Sequence, residues 1–452
     1  MLGKHCVAAA LIAATVSIPV ASAHYSGKVL HAFCSQTGCA DGVGPVASLI
    51  RDQAGNIYGT AVGGGAHAAG VVFELMQSVS NPGHFKYKVV YDFCVQTACA
   101  DGSTPYAPLI VDVAGNLYGT TQSGGAGGGI AFELHPNSDH TKWKLKVLYA
   151  FCSLSNCADG TGPVAGLTYA GAAAGQPYDG SSPLYGTTPA GGVSSYDLGP
   201  QGTAFSLTLV SGQWLESVIY NFCSVINTNT CLDGAQPNAP LIEDSSGNLF
   251  GTTFTGGQTG SGDNFYSDGT VFELSPSGSS WTESVLYNFC AEGNGLCYDG
   301  SSPLAGLALN GSGTLYGFTP SGGATCTHHS GCDGVVFQLS SGSYSVLYSF
   351  CPKKSCAGGG DPLDGPTLDS QGNIFGSTNY GGDSTNVSGG AGTVVEFAGG
   401  VPATLYRFCA QPGCPDGAYP VGGIILDGSG NYFGTTQYGG ATNDGVVYEL
   451  MP

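Results

Sequence analysis

The sequence predicts an all-β fold, a seven-bladed β-propeller with four-stranded blades. A strand-like segment recurs seven times, each period holds four short strands, and the terminal strands are offset in a way that closes a ring. Propellers protect their strand edges by this kind of radial repetition. A β-solenoid is the alternative, but solenoid coils are usually shorter and need no phase offset.

The first residues carry the three parts of a secretory signal. An uncharged apolar run over 7–20 follows Lys4 and ends in the small-residue site Ala-Ser-Ala at 21–23, as in a cleavable signal peptide. We therefore expect residues 1–23 to be removed and residues 24–452 to form a single propeller domain, secreted to the periplasm or outside the cell. No later stretch reaches the eighteen apolar residues of a membrane span. The absence of a sorting signal after the last strand favours release over anchoring.

The strand that defines the period has a pattern such as Asn-Leu-Tyr-Gly-Thr-Thr. Its glycine recurs at intervals of 58 to 67 residues, a spacing near that of propeller blades. The copies lie at 56–61, 116–121, 183–188, 248–253, 314–319, 373–378 and 431–436. Seven copies of one strand predict seven blades.

Three further strand-like segments complete each period. The innermost runs from a proline into an apolar stretch, as at 105–112; the third follows a Gly-Gly loop, as at 70–75; and the outermost ends in an aromatic-x-Phe-Cys pattern, as at 89–94. β-Branched and aromatic residues within the segments, with turn residues between them, are typical of strands. The mature chain starts with an outermost strand at 28–33 and ends with a third strand at 445–450. Pairing of these two strands would complete the last blade and close the ring.

Sixteen of the 17 cysteines lie outside the predicted signal and form local pairs. Seven pairs follow outermost strands, and an eighth lies in the Gly-Gly loop of the fifth blade. The pairs are Cys34/Cys39, Cys94/Cys99, Cys152/Cys157, Cys223/Cys231, Cys290/Cys297, Cys351/Cys356, Cys409/Cys414 and Cys326/Cys332. Local disulfides are the simplest arrangement, and this cysteine content indicates an oxidising compartment. Zinc is the alternative, but no matching His residues or CxxC motifs accompany the pairs.

The LYxFC, DGxxP, GNLYGTT and GxVFEL segments together resemble the bacterial tandem repeat called GloVer, found in secreted proteins. The resemblance covers about residues 28–450. It implies a propeller architecture and secretion, and it transfers no chemistry.

Composition and motifs narrow the possible partners. The net charge of −20 leaves no basic surface for nucleic acid or for an anionic membrane. No GxSxG, HExxH, P-loop or dinucleotide fingerprint occurs in a suitable context, and calcium is the one cofactor that the sequence suggests. We expect a monomer whose partner is an extracellular glycan or another small or polymeric ligand.

The disulfide loops and the Gly-Gly loops share one end of the predicted ring, which we call the upper face. Because propeller ligands commonly bind near the axis, this face is the default site. The aspartate of the DG motif would form a ring there, either as oxygen ligands for calcium or as turn residues that order the loops. These aspartates are Asp41, Asp101, Asp159, Asp233, Asp299 and Asp416.

Loops that depart from the repeat supply ligand-binding candidates. Adjacent histidines in the stapled loop of the fifth blade suit a metal, a sugar or acid–base chemistry, although solvated loop residues would have the same pattern. The longest upper loop, in the fourth blade, mixes aromatic and carboxylate groups as carbohydrate sites do. These candidates are His328, His329, Asp333, Asp263, Phe265 and Tyr266.

Two innermost strands carry a charge where the other copies are apolar. Arg51 and Glu243 occupy these positions. If they face the channel, they are catalytic or anchoring candidates together with His328 and His329. A structural role through salt links is the alternative.

The sequence therefore predicts a secreted, disulfide-stapled propeller that binds an extracellular ligand, with a polysaccharide favoured, on its upper face. Two alternatives stay open. One is a polysaccharide-cleaving enzyme, either a lyase or a glycoside hydrolase. The other is an extracellular structural or protein-interaction scaffold.

Overall fold

The fold is a closed ring of seven β-sheets. A computed structural model describes residues 25–193, 199–227, 230–258, 268–291, 296–324, 333–351, 356–382, 386–387 and 389–452. Within each sheet the strands follow one another from the axis outwards in chain order, except in the blade that closes the ring. The seven-bladed propeller and the predicted order of strands within a blade are both confirmed.

Blades are numbered along the chain from the one that begins with Ile50–Arg51. The innermost strands are Ile50–Arg51, Ile110–Val111, Ile242–Glu243, Ala308–Leu309, Thr367–Leu368 and Ile425–Leu426. The second strands are Ile57–Ala61, Leu117–Thr121, Leu184–Thr188, Leu249–Thr253, Leu315–Thr319, Ile374–Thr378 and Tyr432–Thr436. The third strands are Val71–Gln77, Ile130–Pro136, Thr203–Val210, Thr270–Ser277, Val335–Ser340, Thr393–Ala398 and Val446–Met451. The outermost strands are Phe85–Asp92, Trp143–Ala150, Gln213–Asn221, Ser280–Asn288, Ser343–Ser349, Val401–Arg407 and Ser26–Ala32.

The N-terminal strand completes blade 7. Ser26–Ala32 pairs antiparallel with Val446–Met451, from Ser26 opposite Met451 to Ala32 opposite Val446. The two ends of the described chain thus lie in one sheet, which confirms ring closure by the phase offset of the repeat.

Blade 3 departs from the pattern at its innermost strand. There the pairing is reduced to one bridge, in which the backbone groups of Thr168 and Tyr185 exchange hydrogen bonds of 2.8 and 2.9 Å. The connection that follows is long and contains the 3-10 helix Ala172–Ala174. Its Tyr178 is fully buried against blade 2, so this insertion packs on the lower face, opposite the disulfide loops.

In six of the seven blades, the glycine of the second strand makes room for an aromatic ring of its own blade. A Cβ on Gly59 would lie 2.5 Å from the ring of Phe73, which is its partner on the neighbouring strand. Glycine in a strand marks such close approach.

Blade 6 is the exception, because its ring does come from the neighbouring blade. The strand partner of Gly376 is Val395 instead of an aromatic residue. Phe318 of blade 5 fills the space, its ring 2.4 Å from a Cβ built on Gly376. Phe318 is 1% exposed and replaces the threonine or serine of the other copies.

A series of hydrogen bonds joins neighbouring blades near the axis. In six of the seven blades, a hydroxyl on the second strand donates to a backbone carbonyl of the next blade, at 3.0 to 3.2 Å. The pairs are Thr60 to Ala107, Thr120 to Ala165, Thr187 to Ala239, Thr252 to Ala305, Ser377 to Gly422 and Thr435 to Ala47. Because Phe318 has no hydroxyl, the series is interrupted between blades 5 and 6.

Seven of the predicted disulfides are present in the described chain. They join Cys34 to Cys39, Cys94 to Cys99, Cys152 to Cys157, Cys223 to Cys231, Cys290 to Cys297, Cys351 to Cys356 and Cys409 to Cys414. Cys326 and Cys332 lie outside the described residues. The first cysteine of all seven pairs has a left-handed backbone, with φ between 48° and 64°. Non-glycine residues rarely adopt this left-handed conformation, so the disulfides hold an unfavourable turn in place.

Short secondary-structure elements occupy the loops after the outermost strands. The 3-10 helices Thr37–Cys39, Thr97–Cys99 and Ser155–Cys157 lie within disulfide loops, and the hairpin Ile226–Asn227/Thr230–Cys231 follows blade 3. None of the helices in the described ranges is long and apolar enough to cross a bilayer.

Candidate functional site

The axis of the ring contains an upper cavity of about 380 Å³. All seven blades contribute to it, mostly through the segments that lead into the innermost strands. Its lining includes Val46, Ser48, Tyr106, Gln122, Val164, Asn238, Leu304, Leu363, Asp364 and Val421. This volume falls within the range of small-molecule sites.

The wall of the upper cavity is largely apolar, with a few polar groups. Tyr106 is 40% exposed and lies at the mouth with Gln122 and Asn238. An amide side chain both donates and accepts hydrogen bonds, and a tyrosine adds a flat apolar ring with a hydroxyl. Such a cavity suits a ligand with both hydrophobic faces and hydroxyl groups.

Asp364 is the charged group of this cavity. Its Oδ2 accepts hydrogen bonds from Ser48 Oγ and from the Gly423 N–H, and its Oδ1 accepts one of 2.7 Å from the Gly365 N–H. Burial raises the pKa of the Asp364 carboxyl. Ser48 lies in blade 1, Gly423 in blade 7 and Gly365 in blade 6. The Asp364 carboxyl group therefore links the two blades on either side of blade 7, which closes the ring.

Sequence reasoning missed Asp364, although the repeat contained a signal for it. Five of the other six copies have alanine at this position, and the sixth has Gly422. Here a carboxylate replaces a small residue of the repeat. The loop candidates were chosen because their residues depart from the repeat in the same way.

A second cavity of about 820 Å³ lies below the first and opens towards the lower face. Arg51 lines it, as do Gln53, Tyr169 and Gln176. The side chain of Arg51 turns back over its own blade, where its Nε donates to the Gly55 carbonyl at 3.4 Å. Arg51 therefore caps a lower turn, far from the disulfide loops.

Glu243 lies in blade 4 and is 8% exposed. Its Oε2 has no hydrogen-bond partner within the described part of the chain. Burial, and then the charge of Asp244, raises the pKa of Glu243. No ion pair joins Glu243 to Arg51 in the described ranges, so the structure does not bring these two candidates together.

The DG aspartates are buried inside their disulfide loops. Asp41, Asp101, Asp159, Asp233 and Asp299 are at most 2% exposed, and Asp416 is partly buried. In Asp101, Oδ2 accepts from Tyr91 Oη at 2.9 Å and from the Val95 N–H at 3.0 Å, while Oδ1 accepts from the Gln96 N–H at 3.0 Å. These contacts are the ones a loop-ordering role requires.

Hydrogen bonds also favour the charged form of Asp159. Burial would raise the pKa of Asp159, but hydrogen bonds from Tyr149 and Ser153 outweigh it, and the pKa lies below its ordinary value. Among the described residues, sets of three possible metal ligands occur at Asp268/Cys290/Cys297 and at Asp333/Cys351/Cys356. The cysteines of both sets are joined in disulfides. The geometry thus gives no positive support to the calcium interpretation.

Most loop candidates lie outside the described residues, namely His328, His329, Asp263, Phe265 and Tyr266. Asp333 is described, and it accepts a hydrogen bond on Oδ1 from Tyr380 Oη. Its carbonyl accepts a hydrogen bond of 2.9 Å from the Asp361 N–H. Burial, and then the charge of Asp333, raises the pKa of Asp361 to about 6. Sequence reasoning missed Asp361, which departs from the DGxxP pattern beside its proline.

Fold and cavity together define a disulfide-rich repeat propeller with a ligand-sized site on its axis. The chain belongs to the Gloeobacter/Verrucomicrobia repeat family, whose model matches residues 20–182 and 263–452. This is the repeat that the sequence motifs resemble. No curated protein matches the sequence.

Solved structures with a similar fold include several enzymes. An ancestral GH74 enzyme has a TM-score of 0.54 and 10% identity, covering 90% of this chain and 48% of that one, so this chain spans about half its length. A luciferin-regenerating enzyme has a TM-score of 0.41, 9% identity and 95% coverage of both chains. A PL25 ulvan lyase has a TM-score of 0.42 and 11% identity, covering 78% and 91%. The first similarity shows the fold alone, since one fold hosts many functions, and the other two are too distant to carry an argument.

Proposed function

We propose that this protein is a secreted, disulfide-stapled propeller that binds an extracellular polysaccharide on its upper face. The observation that carries the proposal is the upper axial cavity, where Tyr106, Asn238 and Asp364 interrupt an apolar wall. Sugars present apolar C–H faces and many hydroxyl groups, which these side chains complement. The predicted loop residues His328, His329, Asp263, Phe265 and Tyr266 belong to this proposal on their sequence pattern.

Charge and cysteine chemistry support the location and the ligand class. A net charge of −20 repels nucleic acids and anionic membranes. Seven disulfides require an oxidising compartment to form and persist. The signal pattern over residues 1–23 provides the route to such a compartment. N-terminal sequencing of the exported protein tests this part, and cleavage before His24 is expected.

Affinity gel electrophoresis tests ligand binding. The mature protein is run through gels containing mixed-linkage β-glucan, xylan, polygalacturonate or a sulfated galactan. We expect retardation by at least one polymer, weakened at least about tenfold by Tyr106→Ala. Gln53→Ala, in the lower cavity, is the matched control and should leave retardation unchanged. Free migration of the wild-type protein through all four gels contradicts the proposal.

A polysaccharide-cleaving enzyme is the second candidate, and one pair of residues favours it. Asp333 and Asp361 are in contact through the backbone, and the pKa of Asp361 is about 6 because of burial and the charge of Asp333. A pair of carboxyl groups is the usual equipment of glycoside hydrolysis, in which the general acid has a raised pKa. Incubation with the same four polymers, following reducing ends and unsaturated products, tests it. Product formation that Asp361→Asn abolishes supports the enzyme, whereas binding without products supports the binding protein.

A further inference from the structure

We propose that the upper cavity receives the end of a sugar chain, and that Asp364 at its floor accepts hydrogen bonds from hydroxyl groups of the terminal residue. This inference rests on the proposed function and specifies how the polymer is recognised. It distinguishes recognition of a chain end from recognition of an internal segment lying across the face.

Asp364 lies where the lining of the upper cavity gives way to that of the lower one, a level that we call the floor of the upper cavity. The upper and lower cavities share no lining residue, and in blade 1 the boundary falls between Ser48 and Leu49. In blade 2 it falls between Pro108 and Leu109. At this level Asp364 reaches across blade 7 to Ser48. A chain that enters from the upper face therefore reaches Asp364 at the inner limit of the upper cavity.

Two glycines, Gly423 and Gly365, allow the backbone and side chains at the floor to pack closely. A Cβ on Gly423 would lie 2.9 Å from Ser48 Oγ and 3.0 Å from Asp364 Oδ2. A Cβ on Gly365 would lie 2.7 Å from the Gly306 carbonyl oxygen. Residues at the floor are thus packed to the limit of glycine, and the floor is a fixed part of the ring.

The Asp364 carboxylate can accept one further hydrogen bond from a ligand. A carboxylate offers about four acceptor positions, and three are occupied by Ser48, Gly365 and Gly423. Oδ1 holds one of these bonds and retains room for another donor. Sugar hydroxyls are donors, and a hydrogen bond to a charged acceptor is stronger than a neutral one.

The volume of the upper cavity limits how many sugar rings can enter it. A cavity of about 380 Å³ lies at the lower end of the range of ligand sites, which run from about 300 to 1,000 Å³. It is large enough for one or two sugar rings and too small for a longer segment. Tyr106 at the mouth is placed to contact the ring that follows the terminal one.

The experiment compares chain ends with chain mass. Cellotriose, xylotriose and trigalacturonate compete with the corresponding polymer, β-glucan, xylan or polygalacturonate, for binding to the full mature protein, measured by isothermal titration calorimetry. End recognition predicts that affinity follows the molar concentration of chain ends, so that a trisaccharide competes far better than the same mass of polymer. Equal competition by mass, or a polymer that outcompetes its trisaccharide, overturns the inference.

Two variants separate binding from stability. Asp364→Asn keeps the size of the side chain but leaves one accepting oxygen for the Ser48, Gly365 and Gly423 donors, so it should lower the melting temperature. It should in addition weaken trisaccharide binding at least about tenfold, the loss of one charged hydrogen bond. Ser377→Ala is the matched control. It removes a hydrogen bond of 3.0 Å between blades 6 and 7, from Ser377 Oγ to the Gly422 carbonyl, and Asp364 joins the same two blades through the Gly423 N–H. Ser377 does not line the upper cavity. The Ser377→Ala variant should lower the melting temperature and leave trisaccharide affinity unchanged. Unchanged affinity in Asp364→Asn, or an equal loss in both variants, overturns the role of Asp364.

The outcomes also separate this inference from the proposed function. If no polymer or trisaccharide binds, the proposed function fails and the inference fails with it. If the polymer binds through Tyr106 but its ends and Asp364 make no difference, only the inference fails.

Discussion

Ser48 of blade 1 donates a hydrogen bond to Asp364 of blade 6, 316 residues further along the chain. Blade 7, which lies between them, is the blade completed by the N-terminal strand. The contact therefore bridges the blade that closes the ring, on the side of the axis. On the outer side of the same blade, Ser26–Ala32 pairs with Val446–Met451. A side chain that fixes the floor of the cavity thus also holds the ring together.

The first prediction concerns this contact. Asp364→Ala leaves Ser48 Oγ and the Gly423 N–H without their acceptor, and a buried unsatisfied group costs about 1–3 kcal/mol. The loss in Ser48→Ala should overlap with it, so the double variant should lose less than the sum of the single losses, with a coupling of about 0.5–3 kcal/mol. Urea unfolding of the four proteins measures the coupling. Additive losses would show that the two side chains do not stabilise the ring jointly.

The second prediction concerns the ring supplied across the blade interface. Phe318→Thr restores the residue of the other copies but leaves a void over Gly376, because Val395 cannot fill it. We expect a loss of about 3 kcal/mol in unfolding free energy, typical of a large core truncation. Val395→Phe alone should overpack the site and cost about 1–3 kcal/mol.

The double variant supplies the control for this exchange. Phe318→Thr combined with Val395→Phe recreates the arrangement of blades 1 to 5, with the ring supplied from within the blade and a hydroxyl near the axis. It should be more stable than either single variant. A double variant as unstable as the sum of the singles would contradict the proposed exchange of rings.

The third prediction concerns pH. Glu216 and Glu283 occupy equivalent positions on outermost strands, each facing the DG aspartate and tyrosine of the preceding blade. Burial, and then the charge of Asp159, raises the pKa of Glu216 to about 7. Burial, and then the charge of Asp233, raises the pKa of Glu283 to about 7. Near pH 6 each carboxyl is thus largely protonated in the folded protein and ionised in the unfolded chain.

The folded state therefore binds more protons than the unfolded state in this range, and stability falls as the pH rises from about 4.5 to about 7. The expected loss is on the order of 1–2 kcal/mol for each glutamate, reduced for their partial exposure. Glu216→Gln with Glu283→Gln should remove the part of this fall that the two glutamates cause, measured as urea midpoints at pH 5 and pH 8. Leu145→Gln, at the equivalent position of blade 2, should keep it. An unchanged pH dependence in the double variant would contradict the assignment.

The fourth prediction separates the two roles considered for the DG aspartates. If Asp101 orders its loop, Asp101→Asn should lower the stability by about 1–3 kcal/mol, because one amide oxygen cannot accept all three hydrogen bonds. Calcium and EDTA should then leave the melting temperature unchanged. A rise in melting temperature with calcium concentration, lost in Asp101→Asn, would establish a metal site instead.

The architecture was predictable because it is encoded locally and repeatedly. The strand containing Gly59 recurs in seven copies with its turns and cysteines, and the strand at 28–33 with no partner of its own required the one at 445–450. Alternation and turn residues specify strands, and a period specifies how many blades there are.

The candidate site was harder to predict because it depends on contacts between copies. Asp364 meets Ser48 only after the ring has closed, and Phe318 reaches Gly376 only across a blade boundary. Comparison within one blade gives no information about such pairs. Arg51 and Glu243 were singled out by charge, but the direction in which a side chain turns is not contained in the repeat, and they lie in separate surroundings.

Hydrogen exchange of the full mature protein with a bound polysaccharide tests the central claim most directly. With the polymer that retards the protein most strongly, we predict slower exchange in the upper segments 43–48, 103–107 and 235–239, which surround the axial cavity, and no change in the lower turns 52–56 and 112–116. Protection confined to the lower turns, or no protection with any of the polymers, would contradict a polysaccharide site on the upper face.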